Sequence, residues 1–184
     1  MFYFLAGLLA VVIVGGDQIA KMMVVEHLTR GTEVKNFIPG LINFVYVQNE
    51  GGAWGFLENN TWLLIGLTVV IMLICMTLLI KKGAGDKIFF FGIICVMSGG
   101  IGNLIDRIFR KYVVDFIQFA FWTDFPVFNI ADMAICIGAG LLILYFLIDF
   151  MKDRKAKRLL NNYTPDAVLQ TNDAEQGDTE SSDN

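Results

Sequence analysis

Four aspartates stand in a chain that is 55% hydrophobic, with a mean hydropathy of +0.59: Asp17, Asp106, Asp115 and Asp132. Each closes a long apolar run or lies in the short segment between two runs. A carboxylate at membrane depth is costly and is by default a functional group. Two acids brought within a few ångströms cannot both ionise easily, so the pair shares a proton. The ionised member can then draw a proton from water while the protonated member hydrogen-bonds a carbonyl under attack. Asp115 and Asp132 are the candidate pair. Asp115 lies in the short apolar, strand-like Val113-Val114-Asp115-Phe116-Ile117, and Asp132 ends Phe128-Asn129-Ile130-Ala131-Asp132, the start of the last apolar run. An acid there could instead simply favour a helix N-terminus.

The other two acids read as support. Asp17 and Lys21 are four residues apart, on one helical face, and suit an intrahelical ion pair. Asp106 and Arg107 read as an ion pair at a helix end. Gly99-Gly100-Ile101-Gly102-Asn103 is a run of small residues, Gly102 among them, that lets another backbone come close. Thr123-Asp124-Phe125-Pro126 reads as a turn.

Other chemistries find little material. His27 is the single histidine and no HExxH occurs, so a zinc peptidase has no motif. A serine triad would need His27 and Ser98, the only serine outside the tail, and a Ser98–Lys21 dyad would need both at one depth. Cys75, Cys95 and Cys136 each fall inside an apolar run and are expected to be buried small hydrophobes.

Elements must position these residues. Four uncharged runs, Met1–Gly16, Thr61–Ile80, Ile88–Ile105 and Met133–Ile148, are the candidate spans of one four-helix membrane domain. The first and last reach spanning length only if Asp17 and Asp132 lie at or just inside the interface. The first is read as a retained span, since it lacks a basic leader and a small-x-small cleavage site. Lys81, Lys82 and Lys87, with Lys152, Arg154, Lys155, Lys157 and Arg158, place both termini in the cytoplasm. All four acids then meet at the outer face.

Between the first two spans, Leu41–Gln48 is rich in β-branched and aromatic residues, flanked by Pro39-Gly40 and Gly51-Gly52. This predicts a small extracytoplasmic β-sheet within about residues 30–58. Trp54, Phe56 and Trp62, and Phe121, Trp122 and Phe125, suit aromatic belts. The fold class is thus membrane all-α with a small outer sheet. The four-helix transmembrane domain covers residues 1–151, and residues 152–184 form a basic, then acidic, largely disordered cytoplasmic tail. The chain through Pro165 holds all 14 basic residues and 12 acids; the last 19 residues hold six acids and no base, and disorder is expected there.

At these residues the chain resembles the lipoprotein signal peptidases (signal peptidase II), bacterial intramembrane aspartic peptidases with four transmembrane helices. The likeness runs from about Gly15 to Asp149. It rests on five motifs in family order: Asp17-Gln18-Ile19-Ala20-Lys21; Asn49-Glu50-Gly51-Gly52-Ala53-Trp54; Gly99 through Arg107; Val113-Val114-Asp115-Phe116; and Phe128 through Asp132. The resemblance implies that Asp115 and Asp132 are catalytic. It implies that Asn49, Asn103, Arg107 and Asn129 shape the substrate site, with Asp17, Lys21 and Asp106 in support. The implied substrate is a prolipoprotein whose cysteine carries diacylglycerol, cut just before that cysteine at the outer face of the bacterial inner membrane. No cofactor and no nucleic-acid partner are implied; membrane lipid and a monomeric enzyme are expected. Trp54 departs from the family's usual Phe, and the acidic tail is not a family feature.

Two other readings compete. A proton- or ion-coupled transporter also uses intramembrane acids, but near the midplane and often on inverted repeats, whereas these acids cluster at one face. A non-catalytic lipid-binding protein has no need of two convergent acids.

Overall fold

The structure is a computed structural model that describes residues 2–52, 60–83 and 85–162. Two compact units divide the chain, Met1–Ile143 and Leu144–Asn184. Among the described residues four helices appear: α1 (Phe2–His27), α2 (Thr61–Lys82), α3 (Lys87–Phe109) and α4 (Ile130–Asn162). All four are long and apolar enough to cross a membrane. Three strands, β1 (Glu33–Ile38), β2 (Ile42–Asn49) and β3 (Val113–Phe119), form one antiparallel sheet in that order. In the second unit the described residues complete α4, and Lys152, Arg154, Lys155, Lys157 and Arg158 are all exposed. Trp54, Phe56 and the acidic tail lie outside the described residues.

Helix α3 is the central post. Phe89, Phe90, Ile93, Cys95, Val96 and the Gly99–Arg107 segment are largely buried, whereas α2 buries only Cys75. Asp86 caps α3, its side chain accepting the backbone N–H of Phe89 at 3.1 Å. The glycines of α3 and α4 allow very close approach. A methyl group at Gly138 would lie 2.7 Å from the Gly92 carbonyl oxygen, and one at Gly99 would collide with the Ala131 carbonyl. At its far end α3 stops at Phe109, and Lys111 takes a left-handed conformation (φ 71°) that reverses the chain into β3. The reversal returns Val114 to α3, where its N–H donates to Asp106 Oδ2 at 3.1 Å.

The sheet has two working faces. Val24 of α1 packs with Tyr46, Val114 and Phe116 on one of them. The other carries Asn49, Phe44, Ile42, Val113, Asp115, Ile117 and Phe119. A bulge sets this pattern. Asn49 pairs with Val113 and Val47 with Asp115, but Phe44 pairs with Ile117 and Ile42 with Phe119. The extra residue on β2 between Val47 and Phe44 flips the alternation. Without it, Asn43 and Val45 would share the face of Asn49.

The run before α4 joins the same sheet. Phe128 N–H donates to the Ile117 carbonyl at 3.0 Å, and the Phe128 carbonyl accepts from Phe116 and Ile117. This short bridge holds the start of α4 against β3.

The expected strand at Leu41–Gln48 is therefore β2, displaced by one residue, and the expected outer segment also supplies β1. The first span continues as a helix past Asp17, as the shared helical face of Asp17 and Lys21 requires. Helix α1 runs on to His27, with Asp17 and Lys21 fully buried and paired along it.

Candidate active site

Asn129 is the N-cap of α4, and Asp132 is the third residue of the helix. Asn129 Oδ1 accepts the Asp132 backbone N–H at 2.9 Å, and Asp132 Oδ2 accepts the Asn129 backbone N–H at 3.2 Å. This is a reciprocal capping box, with Asp in the place usual for Glu or Gln. The second Asp132 oxygen accepts Asn103 Nδ2 at 2.7 Å. The sequence left capping and catalysis as alternatives for Asp132; the side chain makes the cap and also lines a cavity.

Asn129 Nδ2 points the other way and donates to Asp115 Oδ1 at 2.6 Å. Asn49 Nδ2 donates to Asp115 Oδ2 at 2.7 Å. Asn49 Oδ1 in turn accepts the N–H groups of Gly51 (3.1 Å) and Gly52 (2.8 Å), which fixes its amide. The two acids expected as a pair are thus brought together by one asparagine. Burial, and secondarily the Asp132 carboxylate, push the Asp115 carboxyl up to about 7, against the amide hydrogen bonds and the Lys21 charge.

Behind the pair lies a charged cluster. Lys21 Nζ reaches Asp17 Oδ2 (2.8 Å), Asp106 Oδ2 (2.9 Å) and Asn103 Oδ1 (3.1 Å), so its three N–H donors meet three acceptors. All three charged side chains are fully buried. Asp17 Oδ1 accepts the Ala131 N–H at 2.9 Å, tying α1 to the first turn of α4. The expected Asp17–Lys21 pair is present. Asp106, however, pairs with Lys21 and approaches Arg110 Nε at 3.7 Å rather than pairing with Arg107. On a helix, neighbours in sequence point apart, while i,i+4 residues share a face.

Arg107 is almost buried and lines the cavity with Asn49, Asn103, Asp115 and Asp132. The cavity holds about 790 Å³. Its remaining wall is apolar: Phe44, Ile117, Phe119 and Phe128 on the sheet side, Met133 and Ile137 on α4. Gly102 lets Asp17 sit against α3, since a methyl group there would be 2.8 Å from Asp17 Oδ2.

Two residues were misread or missed. Cys136 was expected to be buried like Cys75 and Cys95, but it is exposed and lines the cavity one turn after Asp132; the i,i+4 spacing from Asp132 was the available signal. Gln18 donates to Asp17 Oδ2 (3.2 Å) and to the Gly102 carbonyl (3.1 Å), joining α1 to α3. His27 is an exposed helix-end residue, its Nδ1 2.9 Å from the Met23 carbonyl oxygen. Asp124 lies exposed in a turn, as expected. Among the described residues no group of acids, cysteines and histidine could hold a metal ion.

Comparison with known proteins agrees with this architecture. The family model for signal peptidase (SPase) II matches residues 9–148. The lipoprotein signal peptidases of Listeria monocytogenes serotype 4a (strain HCC23) and serotype 4b (strain CLIP80459) are each 35% identical over 159 residues. In both cases the match covers 85% of this chain and 98% of the relative. A bacterial membrane enzyme solved by the in meso method at 2.3 Å superposes with a TM-score of 0.73 at 32% identity, over 79% of this chain and 88% of that one. A second such structure, at 1.9 Å, gives 0.69 at 32% identity, over 77% and 92%. The chain belongs to the signal peptidase II family of aspartic peptidases.

Proposed function

We propose that this enzyme cleaves diacylglyceryl-modified prolipoproteins just before the lipidated cysteine, with Asp115 and Asp132 as its catalytic acids. The observation that carries the reading is Asn129. Its side-chain amide holds Asp115 while its carbonyl and backbone N–H hold Asp132, so both acids line one cavity. The acids, with Asn49, Asn103 and Arg107, give a polar floor under apolar walls. An extended peptide bearing two acyl chains has the same division: a polar scissile bond beside an apolar anchor.

Water placed between the acids attacks the scissile carbonyl. One acid takes a proton from the water and the other gives a proton to the carbonyl oxygen. The three asparagines orient the acids, and Arg107 offers N–H donors to the substrate backbone. Asp17, Lys21 and Asp106 hold α1, α3 and α4 in register. A monomer is the working state in this reading. In the cell, the enzyme spans the bacterial cytoplasmic membrane with both termini inside and works at the extracytoplasmic face. The transport alternative loses its ground to family membership.

The test uses the full chain in detergent with a diacylglyceryl-modified prolipoprotein, alongside Asp115→Asn and Asp132→Asn. Cleavage before the modified cysteine by the wild type, and by neither variant, is expected. Folded wild-type protein that leaves this substrate intact would overturn the reading, as would near wild-type turnover by either variant.

A further inference from the structure

We infer that the two aspartates are not interchangeable: Asp115 carries the catalytic proton and Asp132 is the carboxylate that takes a proton from water. The inference rests on the peptidase reading above and assigns roles within it.

Position in the fold separates the two. Asp132 lies in the first turn of α4, where the aligned peptide dipoles favour negative charge. One of its oxygens receives a backbone N–H, that of Asn129. The side chain is half-buried and lines the cavity. Asp115 lies mid-strand, 1% exposed, and among the described residues receives only the neutral amides of Asn49 and Asn129. A strand supplies almost no net dipole. Desolvation therefore weighs most on the Asp115 charge, in line with its shift to about 7.

The surrounding charges point the same way. From α1, Lys21 acts on both acids, and Asp17 repels Asp132 but is itself paired with Lys21 at 2.8 Å. From α3, Asp106 is paired with Lys21, and Arg107 attracts Asp132 more strongly than Asp115. From β2, Asn49 is a neutral partner.

The amides fix where the proton can point. Asn103 Oδ1 accepts from Lys21, so its Nδ2 must face Asp132. Asn129 Oδ1 accepts the Asp132 N–H, so its Nδ2 must face Asp115. Neither amide can flip to accept from a protonated acid. An O–H on Asp115 is therefore directed into the cavity, where a scissile carbonyl would receive it. In the step that follows, the water oxygen bonds to the carbonyl carbon, one water proton passes to Asp132, and the Asp115 proton passes to the carbonyl oxygen. On collapse the C–N bond breaks. Asp132 returns its proton to the leaving amine nitrogen, and Asp115 recovers one from a hydroxyl of the diol. Both acids end as they began.

The test is a carbon-13 NMR titration of the full chain in detergent, with aspartate carboxyl carbons labelled and Asp115→Asn and Asp132→Asn used only for assignment. The Asp115 carbon should carry most of the step near pH 7, while Asp132 keeps its carboxylate shift through that range. A larger share on Asp132, or an equal split, overturns the assignment. No substrate is needed, so this failure is distinct from a failure to cleave prolipoprotein. The pH dependence of cleavage gives a second readout. Of the two acids Asn49 touches only Asp115, so Asn49→Ala should move the high-pH limb upward by removing a donor to the ionised form. Asn103→Ala should move the low-pH limb instead. An unmoved high-pH limb in Asn49→Ala, or exchanged effects, sinks the proposal.

Discussion

Asp17 and Asp106 share one ammonium; Asp115 and Asp132 share carboxamides. All four acids lie within one small region, yet their environments oppose each other. The first pair is fully buried and bound by Lys21, whose three donors are all used. The second pair receives side-chain amides and one backbone N–H, with a cavity on its open side. A shared ammonium with all three donors used fixes both of its carboxylates in place. Neutral donors orient a carboxylate but leave its proton affinity free to be tuned. Asn103 joins the two sets, accepting from Lys21 and donating to Asp132.

The largest expected effect breaks the second pair. Asp115→Asn and Asp132→Asn should each lower the cleavage rate by about 10³-fold or more, in the upper part of the range for acid–base groups. Both proteins should remain folded. Rates on lipidated prolipoprotein, read beside thermal unfolding in detergent, check both halves.

Lys21→Met breaks the first pair. Two buried carboxylates would lose their common cation, at a cost of roughly 3–5 kcal/mol. The yield of folded protein should fall sharply, and the surviving fraction should unfold at lower temperature. Asp17→Asn should also reduce folded protein, because Asp17 holds the Ala131 N–H as well as Lys21. Adding Asp17→Asn to Lys21→Met should recover part of the loss. An unchanged unfolding temperature in Lys21→Met would deny the cluster its structural role.

Stability against pH sharpens the contrast. Asp115 is raised in the folded state to about 7 from an ordinary value of 3.8. The folded state thus binds this proton more tightly than the unfolded state does. Asp115's contribution is intact below pH 4 and is lost as pH rises to about 7, by up to ~4 kcal/mol. Asp115→Asn should flatten that decline, so that its stability changes less between pH 5 and pH 8 than the wild type's, whereas Asp17→Asn should lower stability at both. Thermal unfolding of both variants at pH 5 and pH 8 measures it, and an Asp115→Asn protein whose stability falls between these pH values as steeply as the wild type's would count against the burial argument.

Much of this contrast was legible in the sequence because it rests on residue type. Acids in apolar runs, the i,i+4 spacing of Asp17 and Lys21, and the strand-like flanks of Asp115 all mark themselves locally. Helix α2 is legible for the same reason, being uniformly apolar. What stayed hidden depends on long-range contact. The pairing of Asp106 with Lys21 joins α1 to α3 and has no local signature. The bulge that turns Phe44 and Ile42 toward the cavity is a property of two strands in register. Cys136 lies in a run where every residue is apolar, so only the position of the cavity marks its face.

The smallest effect concerns spacing rather than charge. Gly100 and Gly102 are two residues apart on α3 and face different neighbours. A methyl group at Gly100 would be 3.7 Å from its nearest atoms, on Met72 and Thr68, an ordinary contact. One at Gly102 would be 2.8 Å from Asp17 Oδ2 and 3.1 Å from Ala131 Cβ. Gly100→Ala should be neutral, or slightly stabilising because alanine favours helix. Gly102→Ala must push back α1 or the first turn of α4, at about 1–3 kcal/mol. Ala131 directly precedes Asp132, so the displacement reaches the Asp115–Asp132 pair, and a shift well under 1 Å should lower the cleavage rate by roughly 10-fold. Unfolding temperatures and rates of the two variants measured together decide the matter. Equal behaviour would mean that the charged cluster does not set the position of Asp132, and that the two pairs are neighbours without being coupled.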